Sequence, residues 1–154
     1  PGSHGTAGRG PDRLAPQRPE QVWYRQLMVD DRVLADHLDR QRLPDGSVLM
    51  DTFNGWGVWM SSSHPKQFII TSDYDFKAAL NRPWENDVRF LLVSNPNVSD
   101  ADALNVRYPT LWDDGAGMSD LVYSVYGASG EERFRLFRMT GAPRRAEQPS
   151  GGPA

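Results

Sequence analysis

The chain has 154 residues, a formal charge of −3 and no cysteine. That length suits one domain. The missing cysteine removes disulfides, thiolate metal sites and cysteine nucleophiles together, and the acidic balance argues against a nucleic-acid partner, which favours a basic face. No run approaches the ~18–20 apolar residues of a membrane-spanning helix, and no signal peptide is read at the start.

Residues 1–18 are Gly, Pro, Arg and Ala with almost no large apolar side chains. Pro1-Gly2-Ser3-His4 has the look of a cloning or protease-site scar, and the stretch reads as a disordered linker. Residues 141–154 repeat that composition and read as a disordered tail. A single α/β domain is expected over 19–140, about 120 residues, enough for an independent core.

The first element is a helix over 20–43. Val22, Trp23, Leu27, Val33, Leu34 and Leu38 recur at three- and four-residue spacings, with Asp30-Asp31 as a break that caps a second helix. Leu43-Pro44-Asp45-Gly46 stops it and turns the chain into a strand. Three apolar runs then close on small, acidic or amide residues: Ser47-Val48-Leu49-Met50-Asp51, Phe68-Ile69-Ile70-Thr71-Ser72-Asp73 and Val88 through Ser94-Asn95. Such runs suit strands buried on both faces, as in a parallel sheet.

Between them lie helical stretches. A loop from Thr52 leads into a short helix capped by Asn54. A second helix starts at Ser72 with Asp75 three residues on, a capping-box pattern using Asp, and ends at Pro83. Residues 100–106 read as a helix, and a further short one starts at Pro109. The last two strands, near 120–127 and 132–139, are joined by too few residues for a crossover helix and must form an antiparallel hairpin. The expectation is a three-layer Rossmann-like sandwich: three parallel strands, the first between the second and third, plus the C-terminal hairpin beyond the third.

Ligands of open parallel sheets gather at the carboxyl ends of the strands. Candidate binding residues there are Asp51, Asn54, Gly55, Gly57, Ser72, Asp73 and Asp75. Asn54-Gly55-Trp56-Gly57-Val58-Trp59-Met60 has the context of a dinucleotide turn, but Met60 stands where the fingerprint needs a third Gly or Ala. Ser72, Asp73 and Asp75 suit a sugar hydroxyl or a cation, although helix capping accounts for Ser72 and Asp75 without one. Trp23, Trp56, Trp59, Trp84 and Trp112 are either sugar-stacking faces or packing. His4, His37 and His64 lack metal-ligand spacing, no Gly-x-Ser-x-Gly elbow exists, and no catalytic residue, metal or cofactor is expected.

One resemblance spans about 31–139. Its carriers are Arg32-Val33-Leu34-Ala35-Asp36-His37-Leu38, the stretch from Leu43 to Asp51, Phe68 to Asp73 with Asp75-Phe76, and Val88 to Val93. Arg107-Tyr108-Pro109-Thr110-Leu111-Trp112, Gly115-Ala116-Gly117 and Phe134 to Arg138 complete the set. Together they resemble the soluble C-terminal domain of actinobacterial polyprenol-phosphate-dependent membrane glycosyltransferases. That resemblance implies an accessory domain on the extracytoplasmic face of the cell membrane, attached to a membrane-embedded remainder of the same chain. It also implies a glycan or polyprenol-linked sugar as the molecule met there. No catalytic residue carries over, because in that family the catalytic acids lie between membrane helices. Two other readings stay open from the residues alone: a nucleotide- or sugar-phosphate-binding enzyme domain, and a protein-interaction module.

Overall fold

A computed structural model describes residues 19–143, with side chains described from Val29 onward. The expected linker at 1–18 and the tail from 144 lie outside the described residues. The architecture is mixed α/β, with helices on both faces of a five-stranded mixed sheet.

Helix α1 (Pro19–Asp39) leads into β1 (Val48–Met50), α2 (Thr52–Ser61), β2 (Phe68–Ile69) and α3 (Phe76–Asn81). Then come β3 (Phe90–Ser94), α4 (Ala103–Arg107), α5 (Leu111–Asp114), β4 (Ser119–Tyr126) and β5 (Glu132–Met139). The strand order is β2-β1-β3-β5-β4. β1 runs parallel to β2 and to β3, while β5 runs antiparallel to both β3 and β4.

Side-chain alternation splits the three parallel strands between two cores. Val48, Met50, Phe90 and Leu92 face Leu34, Ala35 and Leu38 of α1 and Val58 of α2. Leu49, Leu91 and Val93 face Phe76, Ala79, Leu104, Leu111 and Trp112 on the opposite side. This follows from crossover hand. The chain steps from β1 outward to β2 and then back over β1 to β3, so a common right hand puts α2 and α3 on opposite faces.

Local boundaries differ from the sequence expectations for identifiable reasons. α1 is continuous through Asp30-Asp31 instead of breaking there. Both acids serve tertiary pairing, since Arg133 approaches Asp30 at 3.4 Å and Asp31 at 3.2 Å. α2 starts at Thr52 without a preceding loop, and its cap is Asp51, not Asn54. The capping box at Ser72 does not form. α3 begins only at Phe76, and Asp75 caps it by position without a side-chain hydrogen bond. The Asp73 carboxylate instead accepts from the Ile70 amide at 2.8 Å, which folds the turn back onto β2 and ends that strand early. The helix expected over 100–106 begins at Ala103 behind Asp102, and the one expected at Pro109 begins at Leu111 behind Thr110.

Candidate functional site

At the carboxyl ends of β1 and β3 the chain leaves the sheet toward opposite faces, through α2 after β1 and α4 after β3. This topological switch point is where open α/β sheets bind ligands. Here the protein's own carboxylates fill it. Asp51 Oδ1 accepts from the Phe53 amide at 2.8 Å and from the Thr71 hydroxyl at 3.0 Å, and Oδ2 accepts from the Ala103 amide at 2.8 Å. One buried side chain thus caps α2, holds the end of β2 and meets the first amide of α4.

Asp102 completes the closure. Its Oδ2 accepts from the Ser94 amide at 3.0 Å and the Ser94 hydroxyl at 2.8 Å, and its Oδ1 caps α4 through the Leu104 amide at 2.9 Å. Asn54 Nδ2 donates to the Ser94 hydroxyl at 3.2 Å. Burial raises the Asp102 pKa above its usual value of 3.8. The Ser94 and Leu104 hydrogen bonds pull the other way, and the charge of Asp51 adds to the rise.

The glycines between these groups are helical positions, not a phosphate-binding loop. Gly55 and Gly57 lie inside α2, and neither has a positive φ. Gly55 packs against the Met50 side chain, and Gly57 against the Asp31 carboxylate. A dinucleotide turn needs free amides aimed at the ligand, and a helix interior has none.

A groove of about 500 Å³ opens elsewhere, along the outer edge of β2. Trp59 of α2, Lys66, Phe68, Ile70, Asp73 and Asp75 line it, and Asp45 stands at its rim beside His64, 3.2 Å away. The expected residues therefore divide. Asp73 and Asp75 come together at the groove with Trp59, whereas Asp51 and Asn54 belong to the closed switch point, Gly55 and Gly57 pack within α2 against Met50 and Asp31, and Ser72 does not line the groove. Asp45, Lys66, Ser94 and Asp102 were not singled out from the sequence. The one available signal was for Asp102, an acid just ahead of the Ala103-Leu104 helix start.

Among the described residues no group of three or more His, Asp or Glu could hold a metal ion, and no helix is long and apolar enough to cross a membrane. No family model, curated protein or solved structure matches the chain.

Proposed function

We propose that this domain is a non-catalytic accessory module of a membrane glycosyltransferase-like protein. Its role is to contact an acceptor glycan at the extracytoplasmic face, beside the membrane-embedded remainder of the same chain. Within that reading the five strands form a Rossmann-like three-layer sandwich that has lost its ligand crevice and uses a sheet edge instead. The observation that carries it is the β2-edge groove, where Trp59 supplies an aromatic wall and Asp73 and Asp75 supply acceptors for sugar hydroxyls. The occupied switch point supports the same reading, because both oxygens of Asp51 are already hydrogen-bonded within the protein.

Asp45, Asp73 and Asp75 outnumber Lys66 around the groove. That negative excess favours an uncharged glycan over a sugar phosphate, so a polyprenol-linked sugar would engage through its sugar and not its phosphate. The test is an amide NMR titration with short neutral oligosaccharides and matched sugar phosphates up to about 10 mM, a range that detects millimolar affinities. Neutral glycans are expected to shift residues 45–46, 59 and 66–75, and Trp59→Ala is expected to abolish those shifts. Shifts confined to 52–57, a preference for the phosphates, or no response at all would overturn the glycan reading.

A further inference from the structure

Helix α2 inverts the usual pattern of a surface helix, whose outward face is charged and whose inward face is apolar. None of its ten residues, Thr52–Ser61, is ionisable. Gly55, Gly57 and Val58 are buried, and the outward stripe at three- and four-residue spacing is Phe53, Trp56 and Met60, exposed by 69%, 43% and 61%. α1 lies beside α2 on the same face of the sheet, against it through Asp31 and Gly57. Opposite its buried Leu34, Ala35 and Leu38, α1 exposes Val29 and Val33, one turn apart. The two helices therefore present apolar side chains in the same direction, away from the sheet.

We propose that this two-helix face rests on a phospholipid bilayer, with Phe53, Trp56 and Met60 seated at the boundary between headgroups and acyl chains. Its apolar area is on the order of 500 Å², within the range of functional patches on single domains but short of the ~800 Å² per partner that a stable protein interface buries. The chain's own ends offer little to cover it: residues 1–18 and 144–154 contain one large apolar side chain between them, Leu14. A bilayer asks for no matching shape. It takes up the apolar face of a helix lying in its plane to a depth of about 5–10 Å, and tryptophan settles at that level.

Charge placement points the same way. Arg32 is exposed on α1, and Arg40 and Arg42 line a hollow with Ser61 and Ser63 just past Met60. Among the described residues no carboxylate stands within ion-pair distance of these three arginines. Two carboxylates share the hollow, Asp36 and Asp39, and that of Asp39 is taken up by Ser62, Ser63 and Gln67. Guanidinium groups suit phosphodiester oxygens, so the rim of the apolar face matches lipid headgroups. A second copy docked by the same face would bring three more arginines to that rim. The proposal is independent of what the groove binds, although α2 supplies both this stripe and, through Trp59, the groove wall.

The test is flotation of the 154-residue chain with vesicles of phosphatidylcholine, alone and mixed with phosphatidylglycerol. Lipid up to about 5 mM covers partition weaker than that of a single myristoyl chain. Partition is expected on both, stronger with phosphatidylglycerol and reduced there by salt. Phe53→Ser with Met60→Ser is expected to lower it by about tenfold or more, with the glycan shifts at 66–75 left in place. Val29→Ser with Val33→Ser, on the other helix, should weaken it as well and decides the matter if the first pair does not fold. Arg32→Gln with Arg40→Gln should remove the preference for phosphatidylglycerol and keep the partition on phosphatidylcholine. Brominated acyl chains should quench the wild-type tryptophan fluorescence more than that of Trp56→Phe. Absence of partition, partition that neither serine pair weakens, or quenching unchanged in Trp56→Phe would each overturn the proposal. Self-association abolished by the Phe53 and Met60 serines, or partition lost on both vesicles with the arginines alone, would overturn it as well.

Discussion

Gly57 of α2 lies directly against the Asp31 carboxylate of α1: a Cβ built on Gly57 would stand 2.0 Å from Asp31 Oδ2 and 3.0 Å from its Cγ. The Asp31 Cβ would also stand only 3.3 Å away, and the carboxylate that would have to move is paired with Arg133 at 3.2 Å. The glycine therefore sets how closely the two helices approach, and Asp31 is the residue that needs the space.

Two physical effects oppose each other in Gly57→Ala. Helix propensity favours alanine by about 0.5–1 kcal/mol in a helix interior. Overpacking a closely packed helix contact costs typically about 1–3 kcal/mol. The clash should prevail here, because the neighbour is a buried carboxylate held by an arginine. Urea unfolding is expected to show net destabilisation of about 1–2 kcal/mol after the propensity gain is subtracted. A more stable variant would mean that α1 shifts away at no cost.

Asp51→Ala removes three hydrogen bonds at once, those from Phe53, Thr71 and Ala103. The loss of an N-cap alone costs about 1 kcal/mol, and an unsatisfied buried donor costs about 1–3 kcal/mol more. A total near 2–4 kcal/mol is expected in denaturant unfolding, with glycan shifts at 66–75 retained in the fraction that stays folded. If the variant keeps full stability and loses glycan binding instead, Asp51 belongs to a ligand site and the closed switch point is refuted.

Ionisable groups pull the pH profile in two directions. Burial raises the Asp31 and Asp102 carboxyls above 3.8, against the opposing effects of Arg133 on the first and of the Ser94 and Leu104 hydrogen bonds on the second. A carboxyl raised in the folded state binds its proton more tightly there than in the unfolded chain. Its effect is most favourable below 3.8 and declines as pH climbs through the native value. Asp39 behaves oppositely: burial would raise it, but hydrogen bonds from Ser62, Ser63 and Gln67 prevail and hold it below 3.8. Glu132 is held below 4.5, chiefly by its hydrogen bonds from Arg135. Their stabilisation is complete above 3.8 and 4.5 and is lost as pH falls through the native values. His37, stacked 3.8 Å from Tyr123, is lowered from 6.5 by burial and then by Arg40, so stability also declines as pH drops from 6.5 through its native value. Carboxyl carbon NMR titrations should place Asp31 and Asp102 above Asp39. The reverse order would contradict this account.

What could be read beforehand follows from which residues speak locally. Val48 to Met50 and Phe90 to Val93 are continuous apolar runs, so their burial on two faces was legible from composition alone. The short 127–131 connection allowed only a hairpin. Helix starts were less legible, because acids next to helices compete for partners that sequence distance hides. Asp51 answers to Ala103, 52 residues away, and Asp73 to Ile70, so caps assigned to Asn54 and Ser72 went to neighbours. The glycines of α2 read as a turn because their space is claimed by Asp31 and Met50 from elsewhere in the fold. Trp59 was legible only as one of five tryptophans. Its place beside Asp73 and Asp75 depends on the crossover from β1 to β2 that brings α2 over the edge of the sheet.

Asp39 links stability to the groove without touching it. At the C-terminal end of α1 its carboxylate accepts from the Ser62 hydroxyl at 2.6 Å, the Ser63 amide at 2.8 Å, the Ser63 hydroxyl at 3.0 Å and Gln67 Nε2 at 2.6 Å. Gln67 is fully buried and closes the 3-10 turn Pro65–Gln67, which presents Lys66 to the groove and delivers Phe68 into β2. In Asp39→Ala the buried Gln67 amide keeps only its bond to the Ser62 hydroxyl at 2.9 Å. The Ser63 amide loses its acceptor as well. The expected cost is about 2–3 kcal/mol, together with faster amide exchange at 64–67 and weaker glycan shifts at 66–70. Asp39→Asn keeps one acceptor oxygen and should fall between wild type and alanine in all three readouts. If alanine destabilises the protein while exchange at 64–67 and the glycan shifts stay unchanged, the turn is held by its neighbours and Asp39 has no influence on the groove.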